Sequence, residues 1–530
     1  MSKKLYLETF GCQMNVLDSE LVLSQLRGQG YVSTADSDDA DVIIYNTCSV
    51  REHAEQKVWS RLGKLRDRKQ ADPNLVIGVI GCMAEREGAE MFRRHPHIDI
   101  LCGPAELDKL PGMVHNAVVT SVSQRVGESE YDFTTRRLTD SPRQIALMGK
   151  SIRRSSTLQV ASDELEMLDL SRAVSPGDDL SQAYVRITRG CNKFCTYCVV
   201  PYTRGPEVHR PPTNIIEEVR KLVDAGAMEV TLLGQTINHY FFDHGDGRRT
   251  TFADLLYQIH EATPDLPRLR FVTSFPRDFT NEALQAMRDC PRICRYLHAP
   301  AQHGSNRVLK LMNRGYTVEQ YRDFADRARA MMPDIAIASD FIVGFPTETE
   351  AEFEETVDLV KYCAFKNSFI FKYSPRPGTT AIDRFADDIP EDVKRQRNNR
   401  LLEVQGQVVV QNNLAMIGKT VEVYVEGVSK LVARRAKNNP GVGTAGVELG
   451  SGFRRVGFIP TNSKLTVLNG GDEPHPTNAE GNITQLVGRT RGDQIVVFEG
   501  DMSLKGQLVN VRIVDAQQMT LFAERMTVPS

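Results

Sequence analysis

Along the first 120 residues, short runs of consecutive apolar residues alternate with longer segments in which apolar residues recur every three or four positions. The runs are "KLYLETF", "DVIIYNT", "NLVIGVIG" and "IDILCG", and between them lie "LDSELVLSQLRGQG", "REHAEQKVWSRLGKLRDRK" and "EREGAEMFRRH". A short continuous apolar run predicts a strand buried on both faces, and the three-to-four spacing predicts a helix with one apolar side. Regular alternation of the two predicts an α/β layer over residues 1–120, a parallel sheet sandwiched by helices.

Residues 121–180 lose this rhythm and are rich in Ser, Arg and Asp. They read as a linker, partly disordered and long for a compact loop. From residue 181 the alternation resumes. Strands are predicted at "AYVRITR", "EVTLLGQ", "LRFVTS", "RYLHAPAQ", "IAIASDFIVG" and "NSFIFKY", separated by helical segments such as "TNIIEEVRKLVDAG" and "ETEAEFEETVDLVKYCA". Six such units over residues 181–412 predict a partial (β/α)6 barrel of parallel strands. "EDVKRQRNNRLLEVQGQVVVQNNLA" reads as one helix leading out of it. Residues 413–516 are all-β in pattern, with "TVEVYVEG", "QIVVFEG" and "GQLVNVRIVDA" set among Gly-rich turns. They predict a small antiparallel, OB-like barrel, interrupted by an insertion at residues 436–482.

Composition narrows the partners. A chain of 530 residues with 41% apolar and 25% charged residues is a multidomain globular protein. A formal charge of −3 excludes wholesale coating by a polyanion, so a nucleic acid would have to meet local basic patches. No run approaches the ~18 apolar residues of a membrane span, and we expect a cytoplasmic monomer without membrane contact. Ten cysteines spread over a chain in a reducing compartment favour metal or cluster ligation over disulfides.

Three of those cysteines, Cys191, Cys195 and Cys198, stand in "RGCNKFCTYCVVPYTRG" directly after the first predicted barrel strand. In such folds the strand's carboxyl end is where active sites are built. Three soft thiolates on one loop suit an iron–sulfur cube and leave one of its irons without a protein ligand. A structural zinc knuckle, with His209 as fourth ligand, and a redox pair of Cys195 and Cys198 are the alternatives.

Three further cysteines repeat the placement at long range. Cys12, Cys48 and Cys82 each end a predicted strand of the first domain and precede a helix. Ligands bind outside those strand ends in open α/β sheets, so the three should meet at one rim and hold a second cluster with an open iron. Cys102 ends the fourth strand, and a buried inert thiol is the commoner state for any one cysteine. Cys290, Cys294 and Cys363 read as structural.

The Cys-x3-Cys-x2-Cys spacing after the first strand of a partial barrel resembles the radical S-adenosylmethionine (SAM) superfamily. Adding Cys12, Cys48 and Cys82, the chain resembles the methylthiotransferase family. That family's layout is a three-cysteine domain, a radical SAM barrel and a TRAM domain. The resemblance implies two 4Fe–4S clusters, one held by Cys12, Cys48 and Cys82 and one by Cys191, Cys195 and Cys198. It implies that the open iron of the second cluster binds SAM. It further implies that one SAM methylates a sulfur at the first cluster and a second gives an adenosyl radical that takes hydrogen from the substrate carbon. An external electron donor and a sulfur source are then required, and no acid–base triad is needed.

Within the family, "TFGCQMNVLDSE" and "GCNKFCTYCVVPYTRG" resemble the branch that acts on dimethylallyl-adenosine beside the anticodon of tRNA. Other branches act on threonylcarbamoyl-adenosine in tRNA or on an aspartate of a ribosomal protein. The partner implied is a tRNA anticodon stem-loop. Pro206, Phe275, Ala299, Ala301 and His303 depart from the family's usual residues, at positions expected to line or approach the barrel mouth. Candidate phosphate contacts are Lys430, Arg434, Arg435, Lys437, Arg489 and Arg491, with the basic run "KRQRNNR" at 394–400 as another. "GKS" at 149–151 and "GKT" at 418–420 lack the upstream glycine of a P-loop.

Overall fold

The computed structural model describes residues 2–49, 52–126, 144–147, 156–173, 181–429, 432 and 483–526. They form two compact units, the first running to Asn412 and the second beginning at Asn413. No helix of the described residues is long and apolar enough to cross a membrane.

The first sheet contains β1 (Lys4–Phe10), β2 (Val32–Ser33), β3 (Val42–Thr47), β4 (Val76–Gly81), β5 (Ile100–Cys102) and β6 (Ile145–Leu147), in the order β2-β1-β3-β4-β5-β6. All its pairings are parallel. β3 and β4 are buried at every position, because alternate side chains serve two cores. Val42, Ile44, Val76 and Ile80 pack with α1 (Gln13–Gly28) and α5 (Leu110–Val126) through Leu17, Leu21, Leu110 and Val114. Ile43, Tyr45, Ile77 and Val79 pack on the other face against α2 (Glu52–Ala71), α3 (Cys82–Glu87) and α4 (Ala89–Arg94), through Val58, Leu62, Met83 and Phe92.

The segment read as a linker contains regular structure. β6 adds a sixth strand at the sheet's edge, and α6 (Ser156–Leu170) is a helix. Its apolar rhythm is weak because charged residues occupy part of its buried face. Asp169 is buried and accepts from Arg186 Nη2 at 2.6 Å, and Glu166 accepts from Arg189 Nη1 at 3.2 Å and Arg210 Nε at 2.9 Å. Both acids thus take their partners from the barrel that follows. The three arginines hold the Asp169 carboxyl far below the usual range, overcoming the opposing effect of burial.

The barrel strands are β7 (Gln182–Arg186), followed by the ribbon of β8 (Thr188–Arg189) with β9 (Val208–His209), then β10 (Glu229–Leu233), the hairpin β11 (Phe241–Asp243) and β12 (Arg249–Thr251), β13 (Arg268–Phe271), β14 (Tyr296–His298), β15 (Ala336–Val343) and β16 (Asn367–Lys372). β7, β10 and β13 form one parallel triplet and β14, β15 and β16 another. Backbone bonds from Ser274 N to His298 O and from Cys294 N to Leu269 O join the two halves. Reciprocal capping boxes start three of the barrel's outer helices, at Thr251 with Asp254, Thr317 with Gln320 and Thr349 with Glu352.

The second unit is a closed barrel of β17 (Thr420–Val428), β18 (Ile483–Thr490), β19 (Ile495–Asp501), β20 (Leu508–Gln517) and β21 (Thr520–Arg525), ordered β17-β18-β19-β21-β20. Closure needs β21, which lies past the predicted end at 516 and pairs parallel with β19. The insertion at 436–482 lies outside the described residues.

Candidate functional site: two cysteine trios in one unit

β1, β3 and β4 are neighbours and finish level, since Phe10 pairs with Thr47 and Thr47 with Gly81. The next residues are therefore brought to one rim. Cys12 caps α1, Cys48 follows β3 and donates its backbone N–H to Phe10 O at 2.9 Å, and Cys82 opens α3. A Cβ added at Gly11 would stand 3.0 Å from the Cys48 Cβ, and Cys12 and Cys82 are close enough to interact electrostatically. Cys102 does not join them. Its thiol is in the apolar core, donates to Glu106 O at 3.3 Å, and is pushed up by burial and by neighbouring carboxyls.

Two asparagines build the floor of this rim. Asn15 Nδ2 donates to Asn46 Oδ1 at 2.9 Å, and Asn46 Nδ2 returns a bond to Asn15 O at 2.9 Å. Asn15 Oδ1 also accepts from the Cys12 Sγ at 3.3 Å. Gly81 lies against this pair at φ +92°, where an added Cβ would meet Asn46 Oδ1 at 2.4 Å. Both asparagines are fully buried.

In the barrel, Gly190 (φ +65°) turns the chain out of β8, and an added Cβ there would fall 1.9 Å from Pro206 O. The loop is tied down by Cys191 N donating to Gly205 O at 3.1 Å and Thr196 Oγ1 to Leu311 O at 2.9 Å. Arg314 is buried and donates from Nη1 to the Cys195 Sγ at 3.3 Å. Its guanidinium lies over the Phe275 ring at 4.6 Å and bonds Pro300 O at 2.9 Å. Burial and the neighbouring Cys195 push the Cys191 thiol up to about 11 and the Cys198 thiol to about 12. Buried thiols of this kind ionise when a cation takes their electrons.

Cluster ligation fits these donor sets better than a single ion. A zinc ion bonded to three sulfurs at about 2.3 Å holds them about 4 Å apart, whereas a cube spreads its thiolates over separate irons. Among the described residues, the group of three metal-ligating side chains whose ligand atoms all lie within 4.8 Å of one another contains no cysteine. His209, the candidate fourth ligand in the alternative zinc-knuckle reading, belongs to that group and not to either trio.

Arg204 connects the two sites. It follows the barrel cysteines, yet its Nη2 donates to Asp18 Oδ2 on α1 at 2.8 Å, and it hydrogen-bonds the Cys82 thiol. A buried positive charge from the barrel loop thus sits beside Cys12 and Cys82. Sequence reasoning passed over Asn15, Asp18, Asn46, Arg204 and Arg314. A signal existed for two of them: Asn15 and Asp18 are polar residues on the apolar side of "CQMNVLDSELVL".

Other expectations are corrected. Ala299, Ala301 and His303 do not line a mouth. The alanines are core residues, and His303 is buried with its Nε2 3.0 Å from Glu348 Oε1 and its Nδ1 accepting from Ser305 N. Two cations of the 394–400 run are buried and serve the fold: Lys394 bonds Asp387 at 2.5 Å and Arg397 bonds Glu348 at 3.2 Å. In the second unit, Arg489 pairs with Glu426 at 3.0 Å and Asp493 at 2.9 Å, and Arg491 approaches Glu422 at 3.8 Å. Lys430, Arg434, Arg435 and Lys437 lie outside the described residues.

Three family models match the chain in order: the uncharacterized protein family UPF0004 over residues 4–103, the radical SAM superfamily over 185–360 and the TRAM domain over 478–525. A solved radical S-adenosylmethionine methyltransferase from Kitasatospora setae, with cobalamin and a 4Fe–4S cluster bound, is 13% identical with a TM-score of 0.42, covering 72% of this chain and 77% of that one. Three curated relatives are each named tRNA-2-methylthio-N(6)-dimethylallyladenosine synthase. The one from Rhodopirellula baltica is 40% identical over 529 residues, covering 100% of this chain and 96% of that protein. The one from Acetivibrio thermocellus is 39% identical, covering 96% and 88%. The one from Porphyromonas gingivalis is 38% identical, covering 100% and 96%. With such identity sustained over the whole chain, the protein belongs to the tRNA-2-methylthio-N(6)-dimethylallyladenosine synthase family.

Proposed function

We propose that the protein methylthiolates tRNA, converting N6-dimethylallyladenosine beside the anticodon to its 2-methylthio derivative. The observation that carries this reading is the presence of two cysteine trios in one compact unit, linked by the Arg204–Asp18 ion pair. We assign Cys12, Cys48 and Cys82 to one 4Fe–4S cluster and Cys191, Cys195 and Cys198 to the other, which binds SAM. When bound, these groups would carry the sulfur being transferred, supply the methyl group and, with an electron from an external donor, give the power to break an unactivated C–H bond, the sulfur itself coming from a separate source.

The chain's own residues hold and shield. Asn15 and Asn46 fix the floor beneath Cys12, Cys48 and Cys82, and Gly81 lets the backbone lie against it. Arg314 presents a charged donor to the Cys195 sulfur, and Arg204 places positive charge beside Cys82. Both neutralise thiolate charge in a buried setting. An unpaired anticodon-loop base can be splayed toward such a site at lower cost than a base in a duplex. The TRAM barrel supplies the RNA contact, and the protein works in the cytoplasm as a monomer.

The test is anaerobic incubation of the cluster-loaded chain with SAM, a reductant and dimethylallyl-adenosine tRNA, followed by nucleoside analysis. The 2-methylthio nucleoside is the expected product. Its absence, with modification appearing instead on threonylcarbamoyl-adenosine tRNA or on a ribosomal protein, would overturn the substrate assignment.

A further inference from the structure

We propose that Glu207, His209 and His239 form a site for a divalent transition-metal ion of the zinc class, separate from both cysteine trios. Among the described residues, these three offer ligand atoms that all lie within 4.8 Å of one another. Glu207 and His209 are two apart on an extended segment, where alternation puts both side chains on one face. Their segment includes β9, which pairs with β8 through Thr188 and His209, immediately before the Cys191 loop. His239 arrives from the turn Ile237–His239 after β10.

The side chains are set as ligands. Glu207 Oε1 accepts from Thr236 Oγ1 at 2.6 Å, and Oε2 pairs with His239 Nδ1 at 2.7 Å. The Glu207 side chain is 1% exposed and that of His239 37%, so the group is anchored at one end and open to solvent at the other. His209 Nδ1 is buried with no hydrogen-bond partner, which costs free energy that a cation accepting its lone pair would recover. The His209 ring is held between Phe241, at 4.6 Å, and the edge of Tyr240, at 5.7 Å.

Two imidazoles and one carboxylate are borderline donors. They suit Zn2+ and its transition-metal neighbours and disfavour Ca2+ and Mg2+, which take oxygen. Three protein ligands leave a fourth position, on the solvent side by His239, for water or another ligand. The ion takes the place of the proton shared by Glu207 and His239. It would tie the β8–β9 ribbon to the 237–239 turn, and it would stand near the loop that starts at Cys191, with which Glu207 interacts electrostatically.

The cluster-loaded chain, dialysed anaerobically against a Zn2+ buffer and then against zinc-free buffer, should retain about one zinc beyond its iron. Its zinc K-edge spectrum should show nitrogen and oxygen neighbours and no sulfur. His239→Ala removes the exposed ligand and should weaken zinc binding about tenfold or more, with iron content unchanged. His209→Ala combined with His239→Ala should abolish the binding. Iron content verifies folding in each variant, and His239→Ala alone decides the matter if the double variant fails to fold. Failure of the unmutated chain to retain zinc, equal retention by His239→Ala, or a shell containing sulfur would each overturn the proposal.

Discussion

Arg204 and Asp18, 186 residues apart in sequence, meet at 2.8 Å in a buried ion pair. Asp18 is fully buried, and its other oxygen accepts from Arg186 Nη1, also at 2.8 Å. One carboxylate on α1 therefore bridges two guanidiniums from the barrel. Asp18→Asn leaves Arg204 without its carboxylate partner and Arg186 with Asp169 alone, and we expect a loss of about 3–5 kcal/mol. The same change in an Arg204→Gln background should cost less, because one orphaned charge is already gone. Urea unfolding of the four-member cycle measures the coupling. Strictly additive costs would show that the pair contributes nothing as a pair.

Iron content separates ligands from bystanders. The unmutated chain should bind about eight irons, as two 4Fe–4S clusters require. Cys48→Ala and Cys198→Ala should each leave about half. Cys102→Ala should keep all of it, since that thiol donates to Glu106 O and belongs to the apolar core. A drop in Cys102→Ala comparable to that in Cys48→Ala would move the first site one strand along the sheet.

Glycine replacements should act on one site at a time. Gly81→Ala forces a Cβ to 2.4 Å from Asn46 Oδ1, and Gly190→Ala forces one to 1.9 Å from Pro206 O, each at positive φ. The left-handed backbone alone costs about 1–3 kcal/mol before either clash is counted. We expect each variant to lose about half of its iron and all of its product formation. Iron retained in full by both would mean that neither rim depends on close backbone approach.

Arg314 should set the reduction potential of the barrel cluster. A buried cation donating to a ligand sulfur favours the added electron, so Arg314→Met should make the potential more negative. The measurement is an anaerobic redox titration followed by electron paramagnetic resonance, in a chain whose Cys12, Cys48 and Cys82 are alanine. An unchanged potential would detach Arg314 from the cluster's electronics.

What was legible in the sequence was what periodicity encodes. β3 and β4 are continuous apolar runs because both faces are covered, and Cys48 and Cys82 follow them at a place the pattern already marks. α6 was not legible. Glu166 and Asp169 stand where apolar residues would be expected, and their partners Arg186, Arg189 and Arg210 come from the barrel. The same holds for Arg204 and Arg314: each is one basic residue among many until the fold delivers it to a sulfur. His303 shows the converse, since an unusual residue near a predicted mouth proved to be a satisfied core histidine.

α6 also limits how such a chain can be rearranged. A spacer between two modules can be lengthened, exchanged or cut at little cost. α6 itself cannot be exchanged or removed in that way, because Glu166 and Asp169 are counter-charges of three arginines in the neighbouring barrel. A recombination joining a foreign first domain to this barrel downstream of residue 170 would leave Arg186 and Arg189 without these partners in a dry interior, while Arg210 would keep Glu218. The two cysteine-bearing regions share these buried ion pairs, and hydrogen exchange should find them opening as one cooperative block.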